Sequence, residues 1–169
     1  IDTPPFNQSA MDGFAFSLNA WDGKGDLKVT GEIQAGNYST DILKPVEAVR
    51  IYTGAALPVG ADTVVMQEKV FISGNIISIN DEQLIKGSNV RLQGSQVKKG
   101  ELAMREGHLL TPGAISFLAG TGIEKVKVYA KPTVSIIITG KELVQPGSPV
   151  SPGKIYESNS FGLTAALNQ

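Results

Sequence analysis

Val70-Phe71-Ile72-Ser73-Gly74-Asn75-Ile76-Ile77-Ser78-Ile79 decides the fold class of this chain. Two short apolar, β-branched runs flank Ser-Gly-Asn, and glycine tolerates the positive φ that a tight turn demands. The stretch predicts a β-hairpin. On its N-terminal side, Thr63-Val64-Val65-Met66 and Ala48-Val49-Arg50-Ile51-Tyr52-Thr53 are apolar and β-branched. Further back, Leu27-Lys28-Val29-Thr30-Gly31-Glu32-Ile33 has the period of two that places alternate side chains on opposite faces, and Gly13 to Leu18 alternates as well. Asn89 to Leu92, on the C-terminal side, is a further short strand. Closely spaced strands separated by turn residues predict a compact all-β module over residues 1–98.

The composition agrees. In 169 residues, 19 Gly and 9 Pro favour a turn-rich, strand-rich protein over a helical bundle. Hydrophobic residues make up 41% of the chain, enough for a core. A net charge of −1 supplies no basic stripe for a phosphate backbone, so nucleic acid is not an expected partner. With no Cys, the chain has no disulfide framework, thiolate metal site or cysteine nucleophile. No apolar run approaches the roughly 18 residues that span a bilayer, and Ile1-Asp2-Thr3-Pro4-Pro5 is not a signal peptide. The expectation is a soluble, cytoplasmic protein, or a piece of one that begins inside a longer gene product, with no membrane partner.

Two further zones follow. Over residues 99–130, Thr111-Pro112-Gly113-Ala114-Ile115-Ser116-Phe117-Leu118-Ala119-Gly120 reads as a helix. Thr111 suits the N-cap, Pro112 the first helical position and Gly120 the stop, with Ile115, Leu118 and Ala119 on one face. Ile123 to Val128 is expected as a strand. Over residues 131–169, Thr133-Val134-Ser135-Ile136-Ile137-Ile138-Thr139 fits a strand covered on both faces. After a loop from Gln145 to Gly153, Ser158 or Asn159 is expected to cap a helix carrying Phe161, Leu163, Ala166 and Leu167. Strand, loop and helix open an α/β unit, which reads as truncated.

Asn7-Gln8-Ser9-Ala10-Met11-Asp12-Gly13-Phe14-Ala15 puts a hydroxyl, a carboxylate and a glycine within five positions. This run resembles the signature of the molybdopterin molybdenumtransferases, which matches from Ser9 to Ala15. Four more stretches resemble the family's motifs in the family's order: Arg50 to Glu68 with its Thr53-Gly54-Ala55, Asn89-Val90-Arg91 to Glu101, Ile138-Thr139-Gly140-Lys141-Glu142-Leu143, and Gly153-Lys154-Ile155-Tyr156-Glu157-Ser158-Asn159. The resemblance implies a mainly β chain with an α/β part. A β-rich module is inserted in a mixed α/β hub, followed by the truncated start of an α/β (MogA-like) pterin-binding domain. It also implies molybdenum cofactor biosynthesis: molybdate enters adenylylated molybdopterin and AMP leaves, assisted by Mg2+. A homodimer is implied, with a MogA-like molybdopterin adenylyltransferase as a further partner.

Such a site must hold a phosphoanhydride, an oxyanion and a hard cation that prefers oxygen ligands. Asp12, Thr53 and Glu142 are the catalytic candidates implied by the resemblance, and Asp12 and Glu142 the metal-binding ones. Ser9, Gly54, Thr139, Gly140, Lys141, Ser158 and Asn159 are the candidates for binding the pterin nucleotide. Each keeps a plainer reading. Asp12 and Ser9 could bond within their own turn, Thr53-Gly54 could be a tight turn, Glu142 could open a short helix, and Ser158 or Asn159 could be an ordinary cap. Glu68 is expected as an edge carboxylate, Trp21 in the Asn19–Gly23 loop as a packing residue, and the single His108 as a strand residue. Three departures from the family pattern stand out: Gln96 where the family usually has Asp, Lys141 where it usually has Asp or Asn, and, more mildly, Glu157 for Asp or Asn. Gln96 and Lys141 leave open a second reading, a non-catalytic scaffold or partner-binding module.

Overall fold

The computed structural model describes residues 1–21 and 23–168; Asp22, in the loop that carries Trp21, and Gln169 lie outside the described residues. The chain divides into two compact units, Ile1–Lys125 and Val126–Gln169.

In the first unit the strands run β1 (Gln8–Ser9), β2 (Gly13–Phe16), β3 (Leu27–Ile33), β4 (Glu47–Ile51), β5 (Thr63–Met66), β6 (Val70–Ser73), β7 (Ile76–Ile79) and β8 (Val90–Arg91). Six of them form one mixed sheet in the order β5-β2-β4-β3-β7-β6. Only the β3–β4 pair is parallel; the others are antiparallel. The predicted hairpin is β6–β7, with Ser73 opposite Ile76. Gly74 therefore holds the first of two turn positions, at φ +61°, as a type II′ turn requires.

All four residues of β2 are buried, because β4 and β5 flank it and both faces of the sheet are covered there. One face carries Phe14, Phe16, Ala48, Thr63 and Val65; the other carries Ala15, Val49, Ile51 and Val64. Gly13 permits the approach of β5: a Cβ at this position would lie 1.9 Å from the Val65 carbonyl oxygen. Trp21 packs edge-on against Phe16, with ring centroids 5.7 Å apart, and its indole N–H donates to the Gly25 carbonyl. In β3 the register against β4 shifts between Val29 and Glu32, so Thr30 and Gly31 absorb a bulge.

The N-terminal residues are fastened to the segment after β8. Asp2 Oδ1 accepts from the Lys99 amide at 2.8 Å and Oδ2 from Gln93 Nε2 at 2.8 Å. Thr3 bridges Val97, and β1 pairs antiparallel with β8. After this segment comes α1 (Pro112–Gly120), whose Thr111 Oγ1 accepts from the Ala114 amide at 3.2 Å, as expected. The stop differs from the expectation. Gly120 remains helical, and Gly122, at φ +84°, ends the helix. The Ile123 amide reaches the Leu118 carbonyl and the Gly122 amide reaches that of Ala119, the paired bonds of a Schellman motif. The buried stripe is Ala114, Leu118 and Thr121; Ile115 and Ala119 face solvent, correcting the predicted face.

Two predicted strands do not form. Residues 123–128 are exposed and join no ladder among the described residues, and His108 also lies outside the described strands. Thr133–Thr139 also forms no ladder, and Ile137 is 83% exposed. An apolar run becomes a buried strand only where neighbours supply ladder partners and cover.

The second unit is organised instead by β9 (Leu143–Val144) and β10 (Ile155–Tyr156), paired in parallel, and by α2 (Asn159–Leu167). Phe161, Leu163 and Leu167 on α2 are exposed.

Candidate functional site

Asp12 ends the turn after β1, and Thr53 begins the turn after β4. Gly13 opposite Ile51 in the β2–β4 ladder places them side by side. Asp12 Oδ1 accepts from the Thr53 amide at 2.8 Å and from its hydroxyl at 2.7 Å. These two bonds, the amide first, hold the Asp12 carboxyl below the usual carboxylate range; a small desolvation opposes them and the Arg50 charge adds to them. Asp12 is therefore ionised at neutral pH. No described residue donates to its Oδ2, and the side chain is exposed.

The same surface brings together three motifs that lie far apart in the chain. The Ser9 amide donates to Ala55 and the Gly54 amide donates back to Ser9, both at 2.9 Å. The Leu57 amide reaches Asn7, and the Asn7 side chain accepts from the Gln93 amide at 2.8 Å. Asn89, at φ +56°, accepts from the Ala10 amide and donates its side chain to the Val64 carbonyl.

These bonds correct two expectations. Ser9, a candidate ligand-binding hydroxyl, is fully buried; its Oγ donates to the Met11 carbonyl at 2.5 Å within the turn. Gly54, at φ +84°, has its amide committed to Ser9, and the Thr53 amide is committed to Asp12, so neither is free to cradle an oxyanion. What this face presents outward is the Asp12 carboxylate and the Thr53 hydroxyl.

Sequence reasoning assigned no role to Arg50, which borders the pair. Its guanidinium lies 6.0 Å from the Phe14 ring centroid and 5.5 Å from that of Tyr52. The signal was present: Arg50 and Tyr52 share one strand face, and Arg50 stands opposite Phe14 in the ladder. Glu68 lies in a short 3-10 turn over Gln67–Lys69 rather than in the strand.

Among the described residues no group of three or more His, Cys, Asp or Glu could hold a metal ion. The open Asp12 Oδ2 is the carboxylate oxygen on which a hard cation could rest at this face. That arrangement suits Mg2+, which usually takes one or two carboxylates. A groove of about 290 Å³ elsewhere in the first unit, lined by Thr30, Glu32, Asp41, Leu43, Glu47 and Pro58 among others, contains none of the sequence candidates.

In the second unit, β9 and β10 lay the Thr139–Glu142 loop beside the Gly153–Asn159 segment: the Ile155 amide donates to the Glu142 carbonyl at 2.9 Å. Glu142 sits in the turn before β9, not in a helix, and its side chain is exposed. Lys141 is exposed as well, and its carbonyl accepts from Lys154 Nζ. Thr139 and Gly140 precede that turn, but past an unpaired segment, so the placement expected beyond a buried strand end is not the one adopted. Ser158 occupies the N-cap of α2 without a side-chain bond. The buried Glu157 takes the capping role instead, accepting from the Ser160 amide at 2.7 Å and from its hydroxyl. Those bonds hold the Glu157 carboxyl below its usual range. Asn159 opens α2, whose first turn is thus already served by an internal carboxylate.

A β module that knits these motifs around an exposed carboxylate defines a class of protein, and comparison identifies it. Residues 1–122 match the family described as MoeA N-terminal region (domain I and II), and the chain belongs to that family. Over 169 residues it is 38% identical to a molybdopterin molybdenumtransferase of Haemophilus influenzae, spanning all of this chain and 42% of that protein. It is 37% identical over 174 residues to a molybdopterin molybdenumtransferase of Nostoc sp., spanning all of this chain and 40% of that protein. The crystal structure of the molybdopterin biosynthesis moeA protein from Pyrococcus horikoshii OT3 superposes with a TM-score of 0.85 at 35% identity, covering 99% of this chain and 46% of that one. The chain thus spans about two fifths of the length of these curated relatives.

Proposed function

We propose that this chain works as part of a molybdopterin molybdenumtransferase, in which molybdate is inserted into adenylylated molybdopterin and AMP is released. The observation that carries the reading is the Asp12–Thr53 pair. An ionised carboxylate with one oxygen fixed by two hydrogen bonds and the other open stands at the junction of the family's motifs.

Thr53 locks the Asp12 rotamer, so Oδ2 points outward at little entropic cost. Asp12 would hold Mg2+ against the phosphoanhydride; when bound, the cation supplies polarisation of the phosphoryl oxygens. The Thr53 amide and hydroxyl together hold the carboxyl below its ordinary range. Glu142, Thr139, Gly140 and Lys141 stay candidates on the pterin side, with Glu142 a second carboxylate and Lys141 a cation for phosphate. Ser158 and Asn159 are weaker in that role because Glu157 already serves their helix end. The proposal includes a homodimer, a MogA-like molybdopterin adenylyltransferase as the source of the adenylylated substrate, and a cytoplasmic setting. No helix among the described residues is long and apolar enough to cross a membrane.

The test is molybdate-dependent AMP release from adenylylated molybdopterin by the full-length protein. Asp12→Ala should lower turnover on the order of a hundredfold, the scale of losing one positioned electrostatic group. Wild-type turnover in Asp12→Ala would refute the reading.

A further inference from the structure

Arg50 has almost no partner for its donors. It takes part in neither ion pair found among the described residues, Lys86–Asp62 and Lys125–Glu124. Its one side-chain hydrogen bond, to Gln67 Oε1, is 3.5 Å long, at the outer limit of such contacts. The neighbouring carboxylates form no ion pair with it: Asp12 Oδ1 accepts from Thr53 while its Oδ2 stays open, Glu32, opposite Arg50 in the ladder, accepts from Gln34 Nε2, and Glu68 accepts from Gln67 Nε2. Yet the guanidinium is not loose. Phe14 and Tyr52 lie within 6.0 Å and 5.5 Å of it, the range in which an aromatic face attracts a cation and fixes its position. A planar fork held ready in this way loses little freedom when it binds, and its paired N–H groups match two oxygens of a tetrahedral anion.

The geometry points to Arg50 as the oxyanion-binding residue of this face, taking a tetrahedral dianion of the molybdate or nucleotide-phosphoryl type beside Asp12. This rests on the reading of the Asp12–Thr53 face as the molybdate-insertion site, and adds the group that receives the anionic reactant. Asp12 by itself repels such an anion. A divalent cation on Asp12 Oδ2 reverses that field, so anion and cation bind this face with positive coupling. Arg50 and Asp12 then divide the work: one side chain for the oxyanion, the other for the metal.

Calorimetric titration of the full-length protein tests this, with sodium molybdate and AMP as separate probes, each with and without Mg2+. Arg50→Met keeps an apolar cover over Phe14 while removing every donor, and Arg50→Lys keeps the charge without the fork. Molybdate affinity should fall about tenfold in Arg50→Lys and become undetectable in Arg50→Met, with an unchanged thermal midpoint, and Mg2+ should tighten wild-type binding. Molybdate binding lost in Arg50→Met assigns the oxyanion to the metal oxide; AMP binding lost in that variant assigns it to the phosphoryl group. Either result supports the inference. Wild-type affinity for both probes in Arg50→Met overturns it, as does failure of the wild type to bind either probe with a dissociation constant of about 1 mM or tighter. If Arg50→Met does not fold, unchanged affinity in Arg50→Lys overturns it equally. Turnover in Asp12→Ala reports separately on the parent reading, because the Arg50 result is read as affinity and the Asp12 result as rate.

Discussion

Replacing Gly13 by alanine adds one methyl group where the structure has no room. The new Cβ would sit 1.9 Å from the Val65 carbonyl oxygen and 2.9 Å from its carbon. Both are backbone atoms of β5, so no side chain can swing aside, and β2 is confined by β4 on its other edge. Overpacking by one methylene typically costs about 1–3 kcal/mol where side chains can adjust. Against backbone we take the upper end, about 3 kcal/mol. Alanine also restricts the unfolded chain relative to glycine, which returns roughly 0.5–1 kcal/mol. The net loss is about 2–2.5 kcal/mol, which for a unit of this size lowers the thermal midpoint by roughly 8–10 °C. The matched control is Gly31→Ala in the β3 bulge, where a Cβ would meet nothing within 4 Å. That variant should hold or gain a few tenths of a kcal/mol, from the unfolded-state effect alone. Circular dichroism melts of both variants give the comparison. A Gly13→Ala midpoint within about 2 °C of wild type would show that β2 and β5 are not in close register, and the β5-β2-β4 strand order would fail with it.

Thr53→Val removes one of the two bonds to Asp12 Oδ1, so the Asp12 titration followed by carboxyl NMR should move up toward the ordinary range; an unmoved midpoint would refute the pairing. Asp2, Asp12 and Glu157 all have carboxyls lowered by hydrogen bonds in the folded state. The stability they contribute is fully present above the ordinary carboxylate pKa of about 4 and is lost as pH falls through their lower folded values, so the melting midpoint should drop as acid is added below that point. Thr111→Ala should cost about 1 kcal/mol through loss of the α1 cap, measured by urea denaturation. Glu157→Ala should raise hydrogen exchange at the Ser160 amide while leaving β6 and β7 protected, which mass spectrometry can resolve.

The strands with clear period or β-branching were legible. Leu27–Ile33, Thr63–Met66 and the hairpin around Gly74 appear where the sequence places them. Their alternation reflects the local pleat, which needs no knowledge of distant partners. Ile123–Val128 and Thr133–Thr139 failed for the opposite reason: an apolar run states what it could bury, not whether a neighbouring strand is there to pair with it. The helix stop moved from Gly120 to Gly122 because two glycines compete, and only the second lies where the terminal carbonyls can be closed. In the candidate site, Asp12 and Thr53 were both singled out, but their contact depends on the β2–β4 register. Asp2 and Glu157 were missed as anchors, Asp2 because its partners lie 91 and 97 residues away. Glu157 read as a mild replacement in a motif, whereas its position just before a helix start was the usable signal.

The lacing of Asp2 to Lys99 has a consequence for how the chain is born. These residues are 97 positions apart, so a ribosome adding roughly 5–20 residues per second takes about 5–20 s to deliver the second after the first. Within that interval the apolar Phe14 and Phe16 first wait for β5, whose Val65 and Thr63 stand opposite them. Until Thr63 and Val65 emerge, the apolar side chains of β2 lack one neighbouring strand, and slowing translation ahead of the codon for Val65 should increase dependence on a chaperone.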